Sequence, residues 1–311
     1  MNIAITGVGG FLGAHLLKRF LDNGDTVYGI DLYPRESPEL YRISRDLYCP
    51  RFEYIWGGVQ DIGTLLNHVT VDVIIHAAAT SDVPFSSRSP IYAFDQIMHA
   101  TMAVANFAAE RNIKLINIST FSVYGEGHQQ PMIEDLPLRP GSPYGASKAA
   151  AEHWVTSLGK SRTLDAITIR PASMYGENER HTGLVSMLLK RALTGHKVFM
   201  EGDGEQTRDF NYVGNVVDFI QLALARWDTI GTQRTFNVGS GTELSIRELL
   251  ERVAAVSGRE FDNLVQQKPA RAWEEGRIVL DISHARELGY EPKVSFDEGF
   301  NQLALFLKGA E

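Results

Sequence analysis

Tyr144 and Lys148 stand four residues apart in Tyr144-Gly145-Ala146-Ser147-Lys148, a spacing that puts both side chains on one face of a helix. The pairing has a chemical use. A free phenol titrates near ~10, too high for a base at neutral pH, and an ammonium beside it favours the phenolate and lowers that value. A hydroxyl within reach of the same reacting oxygen would position it, and Ser119-Thr120 supplies one at the end of an apolar run. Such a pair standing alone is more often structural, a half-buried ring beside an amine that reaches to solvent. The chain upstream is what makes it a candidate site.

That upstream chain opens on Thr6-Gly7-Val8-Gly9-Gly10-Phe11-Leu12-Gly13, between the apolar run Asn2-Ile3-Ala4-Ile5 and the helical pattern Ala14 to Leu21. Strand, glycine turn and helix follow in the order a dinucleotide fold requires. Gly7 suits the tight turn, Gly10 lets main-chain N–H groups approach a diphosphate, and Gly13 lets helix pack closely on strand. Asp31 ends the second strand, Thr26 to Ile30, and lies 18 residues beyond Gly13. A carboxylate there accepts hydrogen bonds from an adenosine ribose and repels a 2′-phosphate, so the expected cofactor is NAD over NADP.

The elements that position these residues alternate regularly. Strands are expected at Phe52–Trp56, Val71–His76, Leu115–Ser119 and Ala166–Arg170, with long helices at about 91–111 and 144–159. The expected fold is therefore α/β, a Rossmann-type doubly wound parallel sheet. The alternation closes at Pro171. The division expected is an NAD-binding domain over 1–171, to which later segments return, and a smaller, mainly substrate-binding subdomain over 172–311. Within the latter, Ser245-Ile246-Arg247-Glu248 has the form of a capping box opening a helix to about Val256.

Composition bounds the function. The 311 residues are 44% hydrophobic and 22% charged, as in an ordinary globular protein, and no run is long enough to span a membrane. With the first strand starting at residue 2, no signal peptide is expected and the location read is cytoplasmic. The net charge of −8 argues against nucleic-acid and anionic-membrane surfaces. Cys49 is the single cysteine, with no companion for a disulfide or a metal site, and no metal is expected.

Further motifs carry a family resemblance along nearly the whole chain. They are His76-Ala77-Ala78-Ala79, Ser119-Thr120-Phe121-Ser122-Val123-Tyr124-Gly125, Ser142-Pro143-Tyr144-Gly145-Ala146-Ser147-Lys148, Arg170-Pro171, Tyr175-Gly176, Gly202 to Phe210, and Phe236-Asn237-Val238-Gly239-Ser240-Gly241. With the glycine turn and Asp31, the sequence resembles the extended short-chain dehydrogenase/reductases, in the NAD-dependent epimerase/dehydratase branch that acts on nucleotide sugars. The resemblance implies that Tyr144 is the acid/base, that Lys148 lowers its pKa and holds the nicotinamide ribose, and that Thr120 hydrogen-bonds the substrate oxygen. It also implies cofactor contacts from Gly7, Gly10, Phe11, Leu12, Gly13, Asp31, Val59, Ala77, Ala78, Tyr144, Lys148 and Pro171. Arg208 and Arg271 match arginines that grip a sugar nucleotide's diphosphate, Glu274 stands where an Asp commonly meets the nucleotide ribose, and Ser173 stands where many members contact the diphosphate through Asn. A planar, permanently charged fork suits phosphate oxygens.

Departures from the pattern narrow the reading. Phe121 and Ser122 replace the Asp–Glu pair of 4,6-dehydratases, so elimination of water lacks its acid and base. Ile97 replaces an Asn near the nicotinamide, Gly58 an Asp near adenine, and Gly214 interrupts the usual Tyr-Val-Asp. The function expected is an NAD-dependent nucleotide-sugar epimerase, at C4, through a transient 4-keto sugar. The alternatives are a net dehydrogenase or reductase of a sugar or sugar acid, and a non-catalytic dinucleotide-binding protein. By analogy a homodimer is expected, joined through the two long helices.

Overall fold

The computed structural model describes residues 1–162, 164–179, 183–232, 234–270 and 276–309. The chain divides into two compact units. The first comprises residues 1–126, 137–170 and 223–236, and the second 127–136, 171–222 and 237–311.

In the first unit, apolar runs form Asn2–Thr6 (β1), Thr26–Asp31 (β2), Phe52–Trp56 (β3), Val73–His76 (β4), Lys114–Ile118 (β5) and Ala166–Pro171 (β6). A seventh strand, Thr235–Val238, completes one sheet in the order Thr235–Val238, β6, β5, β4, β1, β2, β3. The pairs from β3 through to β6 are parallel. β1, β4 and β5 are almost wholly buried, as strands covered on both faces must be, whereas edge strand β3 buries Phe52 and Ile55 and exposes Glu53 and Trp56. Strand order reverses between β1 and β4, and the crevice beyond strand ends at such a reversal is where doubly wound sheets take ligands. The sheet is flanked by Phe11–Asp22 (α1), Ile62–Leu65 (α2), Val83–Arg88 (α3), Pro90–Arg111 (α4) and Pro143–Arg162 (α5). α4 and α5 come close along small residues, among them Ala93, Ala100, Ala149 and Ala151, all buried. Asn112, left-handed at φ 55°, stops α4.

The glycine turn explains how α1 meets β1. Gly7 has φ +71°, and a Cβ there would lie 2.8 Å from Ala78 Cα. A Cβ on Gly13 would lie 2.1 Å from the Gly7 carbonyl oxygen and 2.8 Å from Val8 Cα. Both neighbours are backbone and cannot step aside. Gly13→Ala is therefore expected to destabilise the chain by about 1–3 kcal/mol, seen as a lower midpoint of urea unfolding.

In the second unit come Ser173–Tyr175 (β7), Val198–Glu201 (β8), Thr207–Arg208 (β9) and Phe210–Tyr212 (β10). Thr235–Val238, the seventh strand above, is β11, followed by Leu244–Ser245 (β12) and Val265–Lys268 (β13). They pair two by two: β7 with β10, β9 with β12, β8 with β13. The helices are Leu184–Leu193 (α6), Val213–Ala225 (α7), Ile246–Ser257 (α8), Phe261–Leu264 (α9), Ser283–Glu287 (α10) and Phe296–Leu307 (α11). The capping box at Ser245 and Glu248 is formed, and a second, Ser295 with Glu298, opens α11. Tyr175, Phe210 and Phe300 gather with Phe296 and the apolar faces of α6 and α8 into this unit's core. Gly214 has a packing reason: a Cβ there would lie 2.7 Å from the ring of Tyr212, whose hydroxyl donates to Glu177 at 2.7 Å.

Candidate active site

The mouth of the glycine turn is built from backbone groups and one carboxylate. Gly7 N donates to Ile30 O at 2.8 Å, which ties the turn to the end of β2. Asp31, the next residue, accepts from Gly9 N at 2.9 Å through Oδ2 and from Leu32 N at 2.8 Å through Oδ1. Gly10 is the N-cap of α1 and no side chain caps that end, so the first amides of the helix, Phe11 and Leu12, face outward with the positive end of its dipole. A left-handed Gly7, a helix start free of side-chain caps and a fixed acidic residue at the end of β2 fit a dinucleotide: diphosphate on the amides, adenosine ribose toward Asp31. Val59 opens a short turn after β3, and its side chain lies in the core with Ala4, Ile30 and Ile62. Pro171 closes β6 and is buried.

Ala77 and Ala78 reach the same turn from β4. Ala77 N donates to Thr6 O at 3.3 Å and Ala78 N to Thr6 Oγ1 at 3.2 Å. Behind them His76 is fully buried, its Nδ1 2.8 Å from Thr6 Oγ1 and its Nε2 3.2 Å from Thr101 Oγ1. The proton positions follow. Thr101 gives its one hydroxyl proton to Ile97 O at 2.8 Å, so His76 Nε2 must donate, and Nδ1 accepts from Thr6. Burial, helped by the charge of Lys148, pushes the imidazole down to about 3. His76 is thus a neutral, fixed strut under the turn. Two-dimensional ¹H–¹⁵N NMR is expected to find the Nε2–H tautomer unchanged between pH 5 and pH 9. The sign on stability is set as well. An unfolded imidazole binds a proton below its ordinary value of 6.5, which the folded chain refuses until about pH 3. Stability should therefore fall as pH drops through that window, by about 1.4 kcal/mol per unit from this group. Unfolding midpoints of the wild type and His76→Asn, compared between pH 7 and pH 4.5, check it.

Tyr144, Lys148 and Thr120 do meet. Tyr144 and Lys148 lie on consecutive turns of α5, and Thr120 follows β5 with extended backbone. All three are buried, Tyr144 at 8%, Lys148 at 3% and Thr120 at 7% exposure. The Tyr144 and Thr120 hydroxyls are hydrogen-bonded, and Lys148 Nζ donates to Ile118 O at 2.8 Å. Ile97 and Ala151 pack against Tyr144, so Ile97 is an apolar wall for the phenol ring. Burial pushes the Tyr144 phenol up to about 12, with the Thr120 hydrogen bond the opposing effect. The Lys148 ammonium is engaged by the Ile118 carbonyl, and its own burial brings it down to about 8 while Glu152 opposes the fall. Ser122 N donates to Thr120 Oγ1 at 3.2 Å, and neither Phe121 nor Ser122 brings a carboxylate.

Behind this trio lies a buried group that sequence reasoning passed over. Glu152 and Arg170 form an ion pair, Nη2 to Oε2 at 2.7 Å, that also takes in Ser119 and Tyr124.

The candidate substrate residues belong to the second unit. Ser173 begins β7 and its N–H donates to Asp209 O at 3.0 Å. Arg208 ends β9, half-buried, with Nη1 donating to Thr207 O at 2.7 Å. Asp209 turns inward and accepts from Ser240 N at 2.8 Å and Ser240 Oγ at 2.7 Å, which ties the Gly239–Gly241 loop to the Arg208 strand. Arg271 and Glu274 lie outside the described residues.

The sheet order, the glycine turn and the Tyr–Lys helix define an α/β protein of the dinucleotide-dependent class. The family model for the NAD-dependent epimerase/dehydratase family matches residues 3–239. The chain belongs to that family. UDP-glucose 4-epimerase of Mycolicibacterium smegmatis is 32% identical over 317 residues, covering 99% of each chain. Among solved structures, UDP-glucose 4-epimerase of Thermotoga maritima with UDP-glucose superposes at a TM-score of 0.89, with 26% identity, over 100% of this chain and 99% of that one. The dTDP-glucose 4,6-dehydratase DesIV of Streptomyces venezuelae, with NAD bound, also gives 0.89 and 26%, over 99% and 97%. Epimerase and dehydratase share the fold equally. The choice between them falls to the residues of the site.

Proposed function

We propose that this protein is a nucleotide-sugar epimerase that acts at C4 through a 4-keto sugar. The observation that carries the reading is the buried meeting of the Tyr144 and Thr120 hydroxyls beside Lys148, followed along the chain by Phe121 and Ser122. A proton can be moved at one oxygen there, while elimination would need carboxylates that those two positions lack. Bound NAD would supply the hydride acceptor and donor for the sugar carbon. Gly7, Gly10, the Phe11 and Leu12 amides, Asp31, Ala77 and Ala78 would hold it, with Lys148 at the nicotinamide ribose. Tyr144 takes the C4 hydroxyl proton and later gives it back; Thr120 orients that oxygen. Ser173 and Arg208 are the diphosphate contacts we assign within the second unit, with Arg271 and Glu274 beyond them in sequence.

UDP-glucose is the first substrate to test, since it occurs in the names of the relatives. Purified protein incubated with UDP-glucose and no added cofactor should form UDP-galactose, seen as a second anomeric signal by ¹H NMR, with no net reduced nicotinamide. Steady build-up of reduced nicotinamide would favour the dehydrogenase reading instead. We also assign a homodimer through α4 and α5, consistent with exposed Ile91, Tyr92 and Phe94 at the start of α4. Light scattering should give twice the chain mass, and a monomer would contradict it.

A further inference from the structure

The end of β5 is laced to α5 at three successive turns. Tyr144, Lys148 and Glu152 follow at four-residue spacing, and each binds a different residue of the 118–120 segment. Tyr144 meets the Thr120 hydroxyl, Lys148 the Ile118 carbonyl at 2.8 Å, and Glu152 accepts from the Ser119 hydroxyl. Glu152 is 4% exposed and is clamped by Arg170 on β6, whose Nη2 donates to Oε2 at 2.7 Å and Nε to Oε1 at 3.1 Å. Arg170 is held in turn by Tyr124: Nη1 donates to its hydroxyl at 2.9 Å, and the guanidinium lies over its ring at 4.8 Å. Two buried charges taken from water are costly, and one partner of this pair, Ser119, is the residue next to Thr120.

We propose that Glu152, clamped by Arg170, is a positioning residue for the Tyr144–Lys148–Thr120 site: it fixes the end of β5 against α5 and places its charge one helical turn from Lys148. The proposal rests on the reading of the site given above. Its first part follows from the chain path. Thr120 has φ −164° and ψ 152°, so once Ser119 is pinned by its hydroxyl the direction of the next side chain is set. Its second part follows from charge. The groups that act on Lys148 are Glu152 from α5, His76 from β4 and the Ile118 carbonyl from β5, with Tyr144 one turn earlier on α5 and Arg170 of β6 beyond Glu152. His76 is neutral, and Glu152 is the negative charge that acts on the amine. Burial lowers Lys148 to about 8, and Glu152 opposes that fall. Losing the carboxylate would bring the amine's titration into the neutral range, where a hold on a ribose and a cation beside the phenol would both be lost.

The test is a ¹³C NMR titration of lysine-labelled full-length protein, the Lys148 signal being assigned by its loss in Lys148→Met, joined to kinetics with a UDP-sugar. In Glu152→Gln the Lys148 titration should move down by about one pH unit, and the alkaline fall in kcat should move with it. Glu152→Asp should restore the wild-type position. Ser119→Ala leaves the carboxylate in place, so Lys148 should titrate as in the wild type while kcat drops several-fold and KM holds. An unmoved Lys148 titration in Glu152→Gln overturns the proposal, as does an unchanged kcat in Ser119→Ala, which serves also if Glu152→Gln does not fold. The titration needs no substrate. A wild type inactive on nucleotide sugars would thus sink the functional reading and leave Glu152 to be judged by Lys148.

Discussion

Tyr144→Phe is expected to lower turnover about 10²–10⁴-fold, the span that general acid–base groups contribute. The variant isolates one oxygen. The ring of Tyr144 packs with Ile97 and Ala151, and phenylalanine keeps those contacts. The glycine turn and Asp31 are held by their own backbone hydrogen bonds, so bound NAD, measured after denaturation, should stay near the wild-type amount. Thr120 loses its partner across the site, which costs the fold little because its hydroxyl also bonds at Ser122. Retained turnover in this variant would remove Tyr144 from the chemistry. A loss of both turnover and NAD would point to disrupted binding.

Arg170→Met should give the largest loss of stability, about 3–5 kcal/mol, because it leaves the Glu152 carboxylate buried without its countercharge. Arg170 is 6% exposed and Glu152 4%, so water cannot take its place. The double replacement Glu152→Met with Arg170→Met should recover most of that loss, since apolar side chains of similar volume often replace a buried ion pair at little cost. Urea unfolding of the two single variants and the double one gives the coupling directly. Equal and additive losses would mean that the pair does not act as a unit.

The first unit was legible because its signals are long or chemically specific. Buried parallel strands read as unbroken apolar runs, and α4 and α5 are long enough for their pattern to stand out, though β4 begins at Val73 and not Val71. Asp72 departs from the strand because its carboxylate turns back to accept from Asn2 N at 2.7 Å. Gly7 and Gly13 were legible for a related reason, since each stands where a side chain has no room. The second unit was less so. β9 and β12 are two residues each and β7 and β10 three, too short to carry a period of any kind, and their pairing is set by contacts distant in sequence. Glu152 was missed because a Glu four residues after a Lys on a helix ordinarily means an exposed pair. Its burial depends on Arg170 from another strand.

The central claim is that hydride leaves and returns to C4 of one sugar within one turnover. The measurement that tests it most directly is the fate of deuterium in UDP-glucose labelled at C4, followed by ²H NMR and mass spectrometry as the protein acts on it. UDP-galactose should form with the label at C4, with none passed to solvent and no reduced nicotinamide accumulating. Label released in stoichiometric amounts of reduced nicotinamide, or galactose formed without it, would contradict the account.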